Sequence, residues 1–109
     1  MKRITAIISE ERLQHARKAL AEKNVYGMTV LAVKGRGSNG GVHLKYRGGI
    51  LDIGLLPSVA IEIVIPDALE DSAVSQILSA ARVGKEGDGK IFMLPVQETH
   101  RIRTGEVEV

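Results

Sequence analysis

Two periods alternate along this chain. Residues 2–8, Lys-Arg-Ile-Thr-Ala-Ile-Ile, are apolar and β-branched enough to predict a strand. Ser9 then offers an N-cap, and Glu10 and Glu11 suit the positive end of a helix over about 10–23. Leu13, Ala16 and Leu20 fall on one face of that helix, and Asn24 and Gly27 end it. Met28 to Lys34 returns to a β-branched, apolar run, a second strand. Pro57 opens a third, Ser58 to Ile65, which Pro66 closes. Asp67 and Glu70 have capping-box spacing. The helix that follows carries Val74, Ile77, Leu78 and Ala81 at i, i+3, i+4 and i+7, and Gly84 suits its stop. Lys90 to Val96 reads as a fourth strand, and Thr99 to Arg103 as a short further one.

The predicted order is βαββαβ within one domain covering residues 1–109. That is an α+β, ferredoxin-like pattern: an antiparallel sheet with two helices on one face. The fold hosts many functions and names none.

Composition narrows the field. A chain of 109 residues, 44% hydrophobic and 26% charged, can bury a core of its own. Without cysteine, disulfides and thiolate chemistry are excluded, and a reducing cytoplasm fits. The start, Met1-Lys2-Arg3-Ile4, runs straight into strand pattern, so no secretory leader is expected. The apolar stretch from Val59 to Ile65 is short and broken by Glu62, so direct membrane insertion is not expected. A net charge of +2 and 3% aromatic residues argue against nucleic acid as a partner.

Two segments break the periodic pattern. From Gly35 to Leu56 no period is clear, and seven of the chain's 12 glycines lie there. A long loop of this kind inside a compact domain is usually functional. Its Gly35-Arg36-Gly37-Ser38-Asn39-Gly40 matches G-x-G-x-x-G as a string, but the dinucleotide fingerprint must open a helix, and Gly40-Gly41-Val42 does not. The second segment is Gly84-Lys85-Glu86-Gly87-Asp88-Gly89-Lys90, between a helix and a strand. Glycines let backbone N–H groups crowd an anion, and Lys90 adds a compact charge. Arg101 and Arg103, two apart on a strand, would point to the same side. Together these read as a phosphate-binding corner, or as a tight loop with solvated charges.

Glu62 interrupts an apolar strand and needs a polar partner. His15, His43 and His100 are scattered without metal-ligand spacing, so no metal site is expected. No nucleophile–base pair or carboxylate pair is recognisable, so the chain is not expected to be an enzyme.

In order and over nearly the whole length, the chain resembles the nitrogen-regulatory PII signalling proteins. The resemblance is carried by Lys2-Arg3-Ile4-Thr5-Ala6-Ile7-Ile8, Gly27-Met28-Thr29-Val30, Val33-Lys34-Gly35, Tyr46-Arg47-Gly48, Leu56-Pro57 and Ile61-Glu62-Ile63-Val64. Further matches are Ala80-Ala81-Arg82, Gly87-Asp88-Gly89-Lys90-Ile91-Phe92, Pro95-Val96 and Arg101-Ile102-Arg103-Thr104-Gly105-Glu106.

The resemblance implies a homotrimer that binds ATP or ADP in clefts between subunits. It also implies a mobile T-loop, about 36–56 here, that docks on a target protein. Gly87, Asp88, Gly89 and Lys90, in a loop of about 82–90, would cradle phosphates. Arg101 and Arg103 would come from the facing subunit. Gly27, Met28, Thr29, Gly35, Gly37, Glu62 and Val64 would surround the adenosine, with Arg36 and Ser38 beside them. Lys45, Tyr46, Arg47, Ile50, Leu51 and Ile53 would form the target-interaction loop.

The departures from the family pattern carry as much information. Leu51 stands where the uridylylated tyrosine is usual, so that switch is expected to be missing. Asn39 replaces a glutamine that helps bind Mg²⁺ and 2-oxoglutarate, and Ser58 replaces a lysine that pairs with the 2-oxoglutarate carboxylate. Ser38 replaces an arginine and Val83 a threonine near the phosphates. Losing the lysine removes a charge-assisted bond worth about 1.5–3 kcal/mol. Weak or absent 2-oxoglutarate binding is therefore expected, and Mg²⁺ use stays open. The expected function is an adenylate-sensing regulator in nitrogen metabolism. The alternative is a regulator of a transporter or of carbon or metal metabolism that also reads a small molecule such as bicarbonate. On either reading the target is a membrane transporter or a metabolic enzyme that the sequence does not name.

Overall fold

In the computed structural model, four strands form one antiparallel sheet: β1 (Lys2–Ile8), β2 (Thr29–Gly35), β5 (Leu56–Ile65) and β6 (Gly89–Pro95), in the order β2-β5-β1-β6. A separate two-stranded ribbon pairs β3 (Val42–Tyr46) with β4 (Gly49–Ile53), and a C-terminal hairpin pairs β7 (Thr99–His100) with β8 (Val107–Glu108). Two helices, α1 (Leu13–Ala21) and α2 (Glu70–Ala81), complete the chain. The structure describes residues 1–35, 42–46, 49–53, 55–84 and 88–109, and of 42–46 and 49–53 the backbone. This is the expected ferredoxin-like βαββαβ arrangement, with a ribbon and a hairpin added.

Strand alternation sorts the sheet's side chains into two sets. Ile4, Ala6 and Ile8 on β1 lie opposite Ile63, Ile61 and Val59 on β5, and all six are buried. Ala16 and Leu20 of α1 and Ala73, Ile77 and Ala81 of α2 join them in one core, so both helices cover the same face. The helices also pack on each other. Gln76 Nε2 donates to the Ala19 carbonyl at 2.9 Å, and Arg12 Nε to the Ala80 carbonyl at 2.8 Å.

Several expectations shift in detail. The first helical segment begins as a 3-10 turn, Glu10–Arg12, before α1. Ser9 stands at its N-cap, but the side chain makes no cap bond, and the Ser9 carbonyl accepts from Arg12 N instead. Helix α1 ends in a left-handed Asn24 (φ 62°), with Val25 N donating back to the Leu20 carbonyl, a Schellman-type close. The Asp67–Glu70 capping box does not form: Asp67 Oδ1 instead lies 3.2 Å from the Met1 amino group. On α2 the buried stripe is Ala73, Ile77 and Ala81, while Leu78 is exposed. Ala16 and Ala73 are both fully buried in the shared core, and on α2 Ala73 rather than Leu78 faces inward.

The third core strand begins at Leu56 rather than Ser58, with Pro57 paired to Lys34 beyond the reach of β1, where an N–H is not needed on both sides. The segment from Gly35 to Leu56, read as lacking period, contains the β3–β4 ribbon, with Val42 opposite Ile53 and Tyr46 opposite Gly49. Its glycines hid that alternation. The strand expected over Thr99 to Arg103 stops at His100. Arg101 N donates to the Glu106 carbonyl at 2.8 Å and Gly105 N to the Arg101 carbonyl at 2.7 Å, so both arginines belong to a turn. Among the described residues, no helix is long and apolar enough to cross a membrane.

Candidate functional site

The candidate residues lie largely on the sheet face that the helices leave open. Register fixes their rows. Leu31, Ala60, Ile7 and Lys90 stand side by side across four strands. The next row is Thr29, Glu62, Thr5 and Phe92, and Val64, Arg3 and Leu94 follow. Gly27 and Met28 lead into β2 at the Thr29 row. The structure therefore brings Thr29, Glu62 and Val64 together, with Gly27 at the sheet edge, while Met28 packs partly buried against the helical core.

Glu62 finds the polar partner its position demanded. Arg3 Nε lies 3.9 Å from Glu62 Oε2, a diagonal pair across β1 and β5 that is partly exposed. An ion pair so open to water contributes little to stability. Glu62 thus faces the open side of the sheet and not the core. Sequence reasoning missed Arg3, although its place two residues before Thr5 on the same face was a readable signal.

Lys90 belongs to a second group, one row further along the sheet and two strands across from Glu62. Its loop is shaped by Asp88, whose Oδ2 accepts from Gly84 N at 2.9 Å and Val83 N at 3.1 Å. The other oxygen, Oδ1, is buried with no partner among the described residues. Asp88 therefore ties the loop's two ends together. This is a local role that its spacing from Gly84 could have suggested. Gly89 has φ 112°, and a Cβ there would collide with the Ile7 carbonyl oxygen, so only glycine lets β6 start this close to β1. At Gly27 and Gly35, by contrast, a Cβ would meet nothing within 4 Å. The fold does not demand glycine at those two positions.

The two groups do not meet within one chain. Glu62 and Lys90 are two strands and one row apart, about 12 Å. Arg101 and Arg103 follow the far end of β6, where Pro95 pairs with Lys2, whereas Gly89 pairs with Ile8 at the near end. Arg101 Nε faces Glu106 Oε2 at 3.8 Å within its own hairpin. The shared strand side expected for the two arginines is replaced by a turn, because Gly105 (φ 72°) reverses the chain there. A cavity of about 370 Å³ opens between α2 and β6. Ile8, Ile77, Leu78, Ala81 and Ile91 line it together with Arg82, Asp88, Gly89 and Lys90, and sequence reasoning did not foresee it.

Ser58 is half-buried opposite Val33, and Val83 is exposed. Arg36, Gly37, Ser38, Asn39, Arg47 and Gly87 lie outside the described residues, as do the side chains of Lys45, Tyr46, Ile50, Leu51 and Ile53. No group of three His, Cys, Asp or Glu side chains that could hold a metal occurs among the described residues.

The family profile described as nitrogen regulatory protein P-II matches residues 1–106. The chain is 49% identical over 106 residues to nitrogen regulatory protein P-II 1 of Escherichia coli K12, covering 97% of this chain and 95% of that protein. The same values hold for nitrogen regulatory protein P-II 1 of Salmonella typhimurium LT2. Nitrogen regulatory protein P-II of Klebsiella oxytoca is 48% identical, with the same coverage.

Proposed function

Because the chain belongs to the nitrogen regulatory P-II family, we propose that it is a cytoplasmic, non-enzymatic signal-transduction regulator of nitrogen metabolism. In this reading it assembles as a homotrimer and binds ATP or ADP between subunits. It acts on a target protein through the segment that contains β3 and β4.

One observation carries the reading: the candidate nucleotide residues form two groups that a single chain keeps apart. Lys90, Gly89 and Gly35 sit toward one end of the open face. Thr29, Glu62 and Val64 sit toward the other, with Arg101 and Arg103 on a separate hairpin. A second copy, set so that its second group faces the first group of its neighbour, completes a site. Each copy then gives one half and receives the other, a head-to-tail contact that closes into a ring. The resemblance sets the ring at three.

Two further features support it. The open face exposes Leu31, Val64, Phe92 and Leu94, an apolar surface that suits burial against other copies. Gly27 and Gly35 border empty space that a ligand could use for close backbone approach. Lys90, exposed on the same face, would supply the positive charge that a phosphate needs.

Light scattering should give a trimer at micromolar concentration. Calorimetric titration should give saturable ATP and ADP binding, with AMP weaker. A monomer in the presence of nucleotide would refute the assembly, and absence of ATP and ADP binding would refute the ligand. With 2-oxoglutarate at millimolar concentration and Mg²⁺ present, ATP affinity should change little, because Ser58 offers no cation to the effector's carboxylate. A Ser58→Lys, Asn39→Gln double variant should gain that synergy. Strong synergy in the unaltered protein would contradict the reading of both positions.

A further inference from the structure

Ile102 is 103% exposed, the extreme among the described large hydrophobic residues. It sits at the tip of the C-terminal hairpin, between Arg101 and Arg103. The backbone bonds from Arg101 N to the Glu106 carbonyl and from Gly105 N to the Arg101 carbonyl hold it there. A single exposed apolar residue is ordinary. This one is flanked by the two cations that the proposed site takes from a neighbouring copy. Consecutive Cα atoms are about 3.8 Å apart. If Arg101 and Arg103 both reach the neighbour's phosphate loop, Ile102 arrives at the same loop with them.

The cavity between α2 and β6 adjoins that loop. Ile8, Ile77, Ala81 and Ile91 form its aliphatic part, and Arg82 and Lys90 also line it. Asp88 and Gly89 close one side, and Leu78, 42% exposed, borders it. An aliphatic knob and a socket with an aliphatic part, which the Arg82 and Lys90 cations border, thus lie beside the two halves of one charged contact.

We infer that Ile102 of one copy seats in the α2–β6 cavity of the next, and so acts as the positioning residue that presents Arg101 and Arg103 to the nucleotide phosphates. The inference rests on the reading of the site as shared between copies. It adds a specific contact: an apolar anchor that fixes the register of the hairpin, with the arginines supplying charge on either side. Removing the anchor should weaken ATP binding although both arginines remain. The lost burial of one branched side chain corresponds to roughly tenfold or more in affinity.

The absence of cysteine makes a direct test clean. In an Ile102→Cys, Leu78→Cys double variant, mild oxidation should give disulfide-linked species up to a covalent trimer on a non-reducing gel. A disulfide needs Cα atoms within about 7 Å, so cross-linking reports this contact and not mere assembly. Each single variant should remain uncross-linked. An unaltered protein that is trimeric by light scattering, paired with a double variant that forms no link or only an intrachain one, would overturn this inference and leave the shared site standing. A monomeric protein would remove both. As a second readout, Ile102→Ser should weaken ATP binding roughly tenfold and Ile102→Val should largely restore it. Unchanged affinity in the serine variant would count against the anchor.

Discussion

The two faces of one sheet have opposite fates. Ile4, Ala6, Ile61 and Ile63 alternate along β1 and β5 with Arg3, Thr5, Glu62 and Val64. The first set is closed from water by α1 and α2. The second carries an exposed ion pair and a half-exposed valine, and its rows continue into Leu31, Phe92 and Leu94, which stay partly open. The strands and the backbone hydrogen bonds are the same for both sets. The difference is whether the chain itself provides a cover. The helical face is settled within one chain and serves stability. The open face has no such cover among the described residues, and Thr29, Gly35, Glu62, Val64 and Lys90 of the candidate residues lie on it.

Substitutions on the two faces should therefore separate stability from assembly. Ile61→Ala, on the closed face, leaves a cavity in a packed core and should cost about 2–5 kcal/mol, read as a lower urea midpoint. Phe92→Ala, on the open face, should leave the secondary structure of the chain intact and shift light scattering toward smaller species. If the two variants lose stability equally and both keep full assembly, the distinction between the faces fails.

Gly89→Ala tests the point where the sheet meets the phosphate loop. The positive φ alone should cost about 1–3 kcal/mol, and the collision with the Ile7 carbonyl adds to it. Gly27→Ala, where a Cβ meets nothing within 4 Å, should spare the fold and weaken nucleotide binding. Equal stability losses at the two glycines, seen in the same urea titration, would contradict this contrast.

Lys90→Ala and Arg103→Ala should each weaken ATP and ADP binding by about 1.5–3 kcal/mol, roughly ten- to a hundredfold, with little change in the unfolding midpoint. AMP should suffer less. Unchanged ATP affinity in both variants, measured by calorimetry, would refute the assignment.

The sequence disclosed the scaffold well, because its periods are clean. The alternation in residues 2–8 and 58–65 and the Leu13, Ala16, Leu20 stripe each report one buried face. It disclosed details poorly where two local solutions compete. Ser9 and Asp67 carry the chemistry of caps, yet the Ser9 and Pro66 carbonyls accept from the first-turn N–H groups, and Asp67 pairs with the terminal amine instead. Arg101 and Arg103 continue a strand-like run, but Gly105 turns the chain after a bridge of two residues. The β3–β4 ribbon was masked by glycines that carry no side-chain signal. Of the candidate residues, Gly89 was legible as a glycine position, because its positive φ and close approach to Ile7 admit no side chain. The division of the site into two separated groups was not, since it depends on register across four strands. The α2–β6 cavity was equally hidden, because packing rather than pattern creates it.

Complementation between two defective variants tests the shared site most directly. Lys90→Ala lacks the phosphate-loop cation and Arg103→Ala lacks the hairpin cation, so each homotrimer should bind ATP weakly. Refolded or co-expressed together, random rings should restore an intact pair in about a quarter of their sites, wherever the loop of one variant faces the hairpin of the other. Calorimetry on the mixture is expected to recover that fraction of sites at unaltered affinity. If mixed rings form and no tight site returns, both cations act within one chain, and the account of a site built between copies is wrong.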